Sequence, residues 1–197
     1  MKSTAVFTTL IHFVFILLLC GCSSSYNTKI QEGTTLSEKQ KQLIAEGWYI
    51  PKTLKNGELT KEYGVNSKYG QHDNYFDIEI GNGCDVAIKI VDVATDKCIR
   101  YVYVSENSSV NIQMIPQGKY YLKIAYGKDW MEYVNDNGSI LGKFTNNVTY
   151  DKSIDLFDFG KKNAESIVNY ILNINVVNNR LENNFNTMEI SEDEFMK

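Results

Sequence analysis

Histidine is nearly absent from this 197-residue chain, which has two, His12 and His72. His12 lies in an apolar leader and His72 in a polar stretch. Neither a histidine-rich zinc site nor a Ser-His-Asp or Cys-His catalytic set can be assembled from them. A surplus of positive charge is also missing, since 20 Lys and Arg stand against 24 Asp and Glu, for a net charge of −4. The chain therefore has no electrostatic reason to seek nucleic acid or an anionic membrane surface. Arginine is reduced to Arg100 and Arg180, and proline to Pro51 and Pro116. Long apolar runs are lacking as well. Leu10–Leu19, interrupted by His12, matches a signal-peptide core and falls short of the roughly 20 residues a membrane-spanning helix needs. Of four cysteines, Cys20 and Cys22 belong to that leader, leaving Cys84 and Cys98 for the body.

What is present starts with the leader. Lys2 and the amino terminus precede the apolar run, which ends Leu19-Cys20-Gly21-Cys22. This segment resembles the bacterial lipobox, with Leu three positions before the modified cysteine and a small residue directly before it. Cys22 fits as the lipidated residue because Gly21 precedes it, whereas Cys20 would need Leu19 to be the small residue. A cysteine at the intervening position departs from the usual pattern. Each buried acyl CH₂ is worth about 0.8 kcal/mol, so the three chains such a cysteine carries give near-permanent anchoring where one would be marginal. Residues 1–22 are read as a lipoprotein signal peptide, which puts the protein in the bacterial cell envelope. Ser23 and Ser24 lack both the Asp of an inner-membrane retention signal and the acidic cluster of a surface-export signal. The expectation is the outer membrane, its periplasmic side favoured over the surface.

Residues 23–36 are polar without an apolar pattern and read as a flexible tether. Residues 37–74 hold one short helix and a loop region. Ser37 with Gln40 predicts a capping-box start and Gly47 a left-handed stop. Trp48–Pro51 reads as a short edge strand limited by Pro51. From Tyr75 the pattern changes to period-two alternation: Phe76, Ile78, Ile80; Val86, Ile88, Ile90; Ile99, Tyr101, Tyr103; Val110, Ile112, Met114; Tyr120, Leu122, Ile124, Tyr126; and Val168 through Val176. About seven such segments with regular turn signals predict an all-β fold over 75–197, an antiparallel β-sandwich whose strands are half-solvated. Pro116 and Gly118 form a turn feeding the Tyr120 strand. Gly127 is expected to bend the chain sharply, leaving Trp130 just past the strand end, with its indole capping the core in preference to standing exposed. At the C-terminus, Ser191 and Glu194 predict a capped helical turn that docks Phe195 behind a short edge strand.

Taken in order, "PQGKYYLKIAYGKDW", "GKFTNNVTYDKSIDLFDF", "YILNINVV" and "EISEDEF" resemble a widespread module of uncharacterised bacterial proteins, including lipoproteins. Its marks are a P-x-G-x-Y strand, a G-x-D-W turn, a D-x-F-D-F segment and a terminal I-S-x-x-E-F. The likeness covers about residues 80–197. It implies a prealbumin-like sandwich, similar in outline to carboxypeptidase regulatory domains, and carries no activity with it.

Candidate chemistry is sparse. A Cys84–Cys98 disulfide is permitted by the compartment. Hairpin pairing would set Cys98 opposite about Asp92 and Cys84 opposite about Glu106, several strand steps apart against a Cα limit of ~7 Å, so buried thiols are favoured. Asp129, Glu132 and Asp136 form the one enzyme-like cluster, which also reads as a solvated acidic loop. Asp151, Asp155 and Asp158 could offer oxygens to Ca²⁺, yet their spacing does not match an EF-hand. No cofactor or metal is expected. The leading expectation is a non-catalytic envelope binding or scaffolding protein, its partner another envelope protein. The first alternative is a glycan-binding module using Trp130, Tyr126, Tyr133 and Asp129; the second is a carboxylate-based hydrolase.

Overall fold

A computed structural model describes residues 35–59, 61–161, 167–177 and 180–197. Residues 1–34, which hold the proposed signal peptide, Cys22 and most of the proposed tether, lie outside the described residues. All described residues belong to one compact unit, so the 37–74 region is part of the same body as the strands.

Two sheets face each other. The larger runs in the order β1 (Gly57–Glu58), β4 (Lys97–Val104), β3 (Asp85–Asp92), β6 (Lys119–Val134), β7 (Ile140–Ser153) and β11 (Thr187–Glu189). The short β8 (Phe157–Asp158) pairs with the start of β6. The smaller runs β10 (Arg180–Asn183), β9 (Tyr170–Val177), β2 (Tyr75–Ile80) and β5 (Ser108–Gln113). The all-β sandwich read from the alternation is this architecture. Two features differ from the expectation. β2 and β9 pair in parallel, which a long excursion through β3–β8 permits and local alternation cannot reveal. The segment expected from Val168 through Val176 forms β9 only over Tyr170–Val177, and among the described residues the longest strand is β6, with 16 residues.

Between the sheets lies the first core. Phe76, Ile78 and Ile80 of β2 meet Val86, Ile88 and Ile90 of β3, Tyr120, Leu122, Ile124 and Tyr126 of β6, and Leu172 and Ile174 of β9. The alternating positions of β2, β3, β6 and β9 thus bury one side of each strand, as their pattern requires. The set expected together in β4 is instead split at the register shift, with Ile99 in this core and Tyr101 and Tyr103 on the opposite face. The Tyr120 hydroxyl donates to the Pro116 carbonyl at 2.8 Å, fastening the turn to the strand it feeds. This local return bond is the logic of a tyrosine corner.

The expectation of half-solvated strands fails for the large sheet, whose outer face carries a second core. Ala87, Tyr101, Tyr103, Ala125, Trp130 and Phe144 are buried there beneath Leu59 from the N-terminal segment and Phe195 from the C-terminal helix. The reason is in the residues: "VAIKIV" and "YVYV" are apolar on both alternating sets, the pattern of a strand covered on two sides. Helix α1 (Glu38–Ala45) has the expected Ser37–Gln40 capping box, and Gly47 takes φ +97° just after it. Tyr49 exchanges two backbone hydrogen bonds with Glu132, at 2.8 and 2.9 Å, a single bridge in place of the edge strand expected at 48–51.

Helix α2 (Glu192–Met196) is capped by Ser191 and buries Phe195 to 1 % exposure. Five residues leave its final carbonyls without helical donors. Two lysines of the outer face supply them. Lys89 Nζ donates to the carbonyls of Phe195 (2.8 Å) and Met196 (3.3 Å), and Lys123 Nζ to that of Glu194 (2.7 Å). The small sheet keeps a polar outer face, with Glu79, Ser109, Asn111, Gln113 and Asn175 exposed.

Candidate functional site

An irregularity between Tyr126 and Lys128 decides where the proposed ligand residues fall. The sharp bend expected at Gly127 does not occur, and β6 continues to Val134. Glycine is needed at 127 for space, because a Cβ there would lie 2.8 Å from Phe144 Cβ and 2.9 Å from the Asn146 carbonyl oxygen. Across this bulge the two faces of β6 exchange. Tyr126 lies in the inner core, its hydroxyl 3.4 Å from Asp151 Oδ1. Trp130 lies in the outer core at 6 % exposure, edge-on to Phe144 at 4.9 Å between ring centroids and 5.8 Å from Tyr103. The indole also covers Gly142, where any side chain would run into its six-membered ring. Tyr133 is half-buried, its ring 5.6 Å from that of Trp48, over which Lys143 Nζ sits at 4.6 Å. Asp129 is exposed, holds φ +59° and accepts from Asn146 Nδ2 at 3.3 Å. The four residues do not form one surface.

The carboxylates also have separate partners. Glu132 is buried and accepts from the Tyr63 hydroxyl and from Trp130 Nε1 at 3.3 Å. Burial, and then Glu132 itself, holds the Tyr63 phenol far above its ordinary range, so it remains a donor. Asp136 is exposed in the turn between β6 and β7. Asp151 accepts from Thr187 Oγ1 at 2.7 Å, Asp155 from the Asn186 backbone at 2.7 Å, and Asp158 pairs with Lys119 at 3.3 Å. Among the described residues, no group of three or more His, Cys, Asp and Glu side chains is placed to hold a metal ion.

The two thiols are unbridged. Cys84 belongs to the inner core and Cys98 packs against the outer one. Cys98 stands opposite Val91, one residue from the position expected, because β3 and β4 shift register at Ile90/Val91. Burial pushes Cys84 up to about 12 and Cys98 up to about 11, so both are protonated and poor nucleophiles near neutrality.

A buried polar cluster lies elsewhere, around Arg100. It follows the inward alternation of Val102 and Val104, yet it is an arginine, and it is 0 % exposed. Nη1 donates to the carbonyls of Lys68 and Ile99, and Nη2 to that of Met114 at 3.4 Å. Nε lies 3.0 Å from Glu58 Oε1, close enough to pair the charges but not aligned as a hydrogen bond. Glu58 is set there by the pairing of β1 with β4, opposite Val102. Its other oxygen accepts from Ser67 Oγ at 3.0 Å and the Tyr69 hydroxyl at 3.3 Å. The Tyr69 ring lies over the guanidinium at 4.0 Å and is 61 % exposed. Glu58, Ser67 and Tyr69 line a cleft of about 440 Å³, with Leu59, Lys61, Val65 and Asn66 completing its wall. A smaller cleft of about 270 Å³ lies among Leu156, Tyr170, Ile171 and Phe185.

Sequence reasoning passed over this site because residues 52–74 show no period. One signal was available. Arg100 alternates with Val102 and Val104, opposite Tyr101 and Tyr103 in the strand. Had the valine face been read as the inner one, the arginine would have demanded a carboxylate, which Glu58 supplies from the preceding segment.

No family model, no curated protein and no solved structure matches the chain. Among the described residues, no helix is long and apolar enough to cross a membrane.

Proposed function

We propose that this chain is a lipid-anchored, non-catalytic binding or scaffolding protein of the bacterial cell envelope, held through Cys22 at the periplasmic side of the outer membrane. The anchor rests on Leu19-Cys20-Gly21-Cys22. The observation that carries the non-catalytic part is the commitment of reactive side chains to internal contacts. Glu132 is held by Tyr63 and Trp130, Lys89 and Lys123 hold the end of α2, and both thiols are protonated by burial. A body braced in this way presents fixed surfaces and does not rearrange around a reaction. The glycan alternative built on Trp130 has no exposed ring to offer, since that indole is sealed under Tyr103 and Phe144.

The test has two parts. Cells expressing the full chain are fed an alkyne fatty acid; the wild type takes up the label and pellets with membranes, while Cys22→Ala does neither. Label persisting on Cys22→Ala, or a soluble wild type, refutes the anchor. Cross-linking in intact cells is expected to trap one dominant envelope component, and recovery of bulk envelope protein alone counts against the binding role.

A further inference from the structure

We propose that the cleft between Glu58 and Tyr69 is a saccharide-binding site, with Tyr69 as the stacking platform and Glu58 as the acceptor for sugar hydroxyls. This rests on reading the chain as a binding protein. It places recognition away from Trp130, in a segment no part of which was a candidate from the sequence.

Three observations converge. The first is the ring. One face of Tyr69 lies on the Arg100 guanidinium at 4.0 Å, yet 61 % of the residue remains in water. The exposed portion is therefore the opposite face and the edge. A lone exposed tyrosine is ordinary, but this one is fixed at both ends, on the guanidinium below and through its hydroxyl to Glu58. A fixed ring loses little rotamer freedom when a ligand stacks on it.

The second is the carboxylate. An ionised carboxylate offers about four lone-pair positions. At Glu58 these face Ser67, Tyr69 and Arg100 Nε, which leaves capacity for a hydroxyl entering from the cleft. Hydrogen bonds to such an ionised, oriented acceptor are stronger than neutral ones. Arg100 also cancels the carboxylate's charge from beneath, so the cleft does not select for cations. A neutral, hydroxyl-rich ligand with an apolar C–H face suits that combination: C–H groups over the ring, hydroxyls towards Glu58, with Ser67 and Asn66 within the same wall.

The third is the burial of Arg100. A fully buried guanidinium is expensive, and replacing a whole buried ion pair, both partners together, by apolar residues of similar volume is often neutral or stabilising. Here the arginine holds the Lys68 and Met114 carbonyls together, fixing the segment that carries Ser67 and Tyr69 at the cleft's edge. The volume of about 440 Å³ falls within the ~300–1,000 Å³ of small-ligand sites.

The test uses the full chain purified in detergent, titrated by ligand-observed NMR and calorimetry. The probes are neutral hexasaccharides of the glucan, chitin and mannan types, with an acidic uronate oligomer as a fourth arm. At least one neutral oligomer is expected to bind. Tyr69→Ala and, independently, Glu58→Gln should each weaken it by about tenfold or more, with melting curves showing that both variants fold. Ile171→Ser, in the smaller cleft, should leave the affinity unchanged. Binding that survives Tyr69→Ala overturns the site while leaving a glycan-binding role elsewhere. Binding of the uronate alone overturns the neutral-ligand assignment. No binding by any arm overturns the proposal outright, and leaves the anchored scaffold to be judged by the Cys22 labelling.

Discussion

Replacing Phe195 by alanine is a severe test of the second core, because the residue is carried by a helix of only five residues. A surface substitution there is expected to shift stability by no more than about 0.5 kcal/mol. In this structure Phe195 is 1 % exposed and packs beside Tyr150 and Tyr101, with ring centroids 5.4 and 6.3 Å away. Lys89 Nζ lies 4.8 Å from its ring. An aromatic side chain buries roughly 150–250 Å², which at about 25 cal/mol per Å² amounts to about 4–6 kcal/mol. Phe-to-Ala substitutions in cores cost about 3–5 kcal/mol. The lower part of that range fits best, since a helix of five residues can settle partly into the space. For a domain of this size each kcal/mol moves the melting temperature by about 2–4 °C. Phe195→Ala should therefore melt about 6–12 °C below the parent, while Lys197→Ala melts with it. Urea unfolding followed by circular dichroism gives the free energy directly. A loss below about 0.5 kcal/mol would mean that α2 does not cover the sheet, and the case for a two-faced core would fail with it.

Removing Arg100 should be severe in the same way. Arg100→Met removes the charge partner of Glu58 and the side-chain donor to the Lys68 carbonyl, while the Met114 carbonyl keeps the Gly70 N–H. It is expected to cost about 3–5 kcal/mol in urea unfolding; a loss under about 1 kcal/mol would show that this network is not formed. Lys89 makes a prediction about pH. Burial lowers it from 10.5 to about 8, so between those values the unfolded chain holds a proton that the folded chain does not. Its contribution to stability therefore rises with pH across that window, by at most about 1.4 kcal/mol per unit. Unfolding of the wild type minus that of Lys89→Met, compared between pH 7.5 and 9, should show this upward slope, and a flat or falling difference would contradict the burial. Cys84, which is buried, should resist a thiol reagent at pH 8 in the folded protein and react promptly in denaturant, with the partly buried Cys98 labelled faster than Cys84 before unfolding; fast labelling of Cys84 in the folded chain would refute its sealed placement.

Much of the architecture can be read from residue patterns because burial on one face of a strand leaves a local trace. Phe76, Ile78 and Ile80, or Tyr120 through Tyr126, announce their own orientation, and Ser191 with Glu194 announces the final helical turn. The features that escape are set by contacts between distant segments. Nothing in "YFDIEI" or "YILNINVV" states that they pair in parallel. At the bulge, Gly127 leaves no room for a Cβ against Phe144, and beyond it Trp130, which shares the parity of Tyr126, lies on the opposite face. The second core was visible in part, since Ala87, Tyr101 and Tyr103 are poor residues for a solvated face. The segment covering them, around Leu59, has no periodicity of its own. The cleft at Tyr69 was least legible of all. Its members come from a two-residue strand and an irregular loop, brought together by one arginine whose role depends on where three carbonyls end up.

The cover over the outer face of the large sheet can be measured most directly through Trp130, because the chain has only two tryptophans. In a Trp48→Phe variant the remaining emission belongs to the indole packed between Tyr103, Phe144 and Gly142. A covered indole emits at short wavelength and resists quenching by acrylamide and iodide until the protein unfolds. Long-wavelength emission with rapid quenching in the folded variant would show the face open to water, and would contradict the two-core sandwich described here.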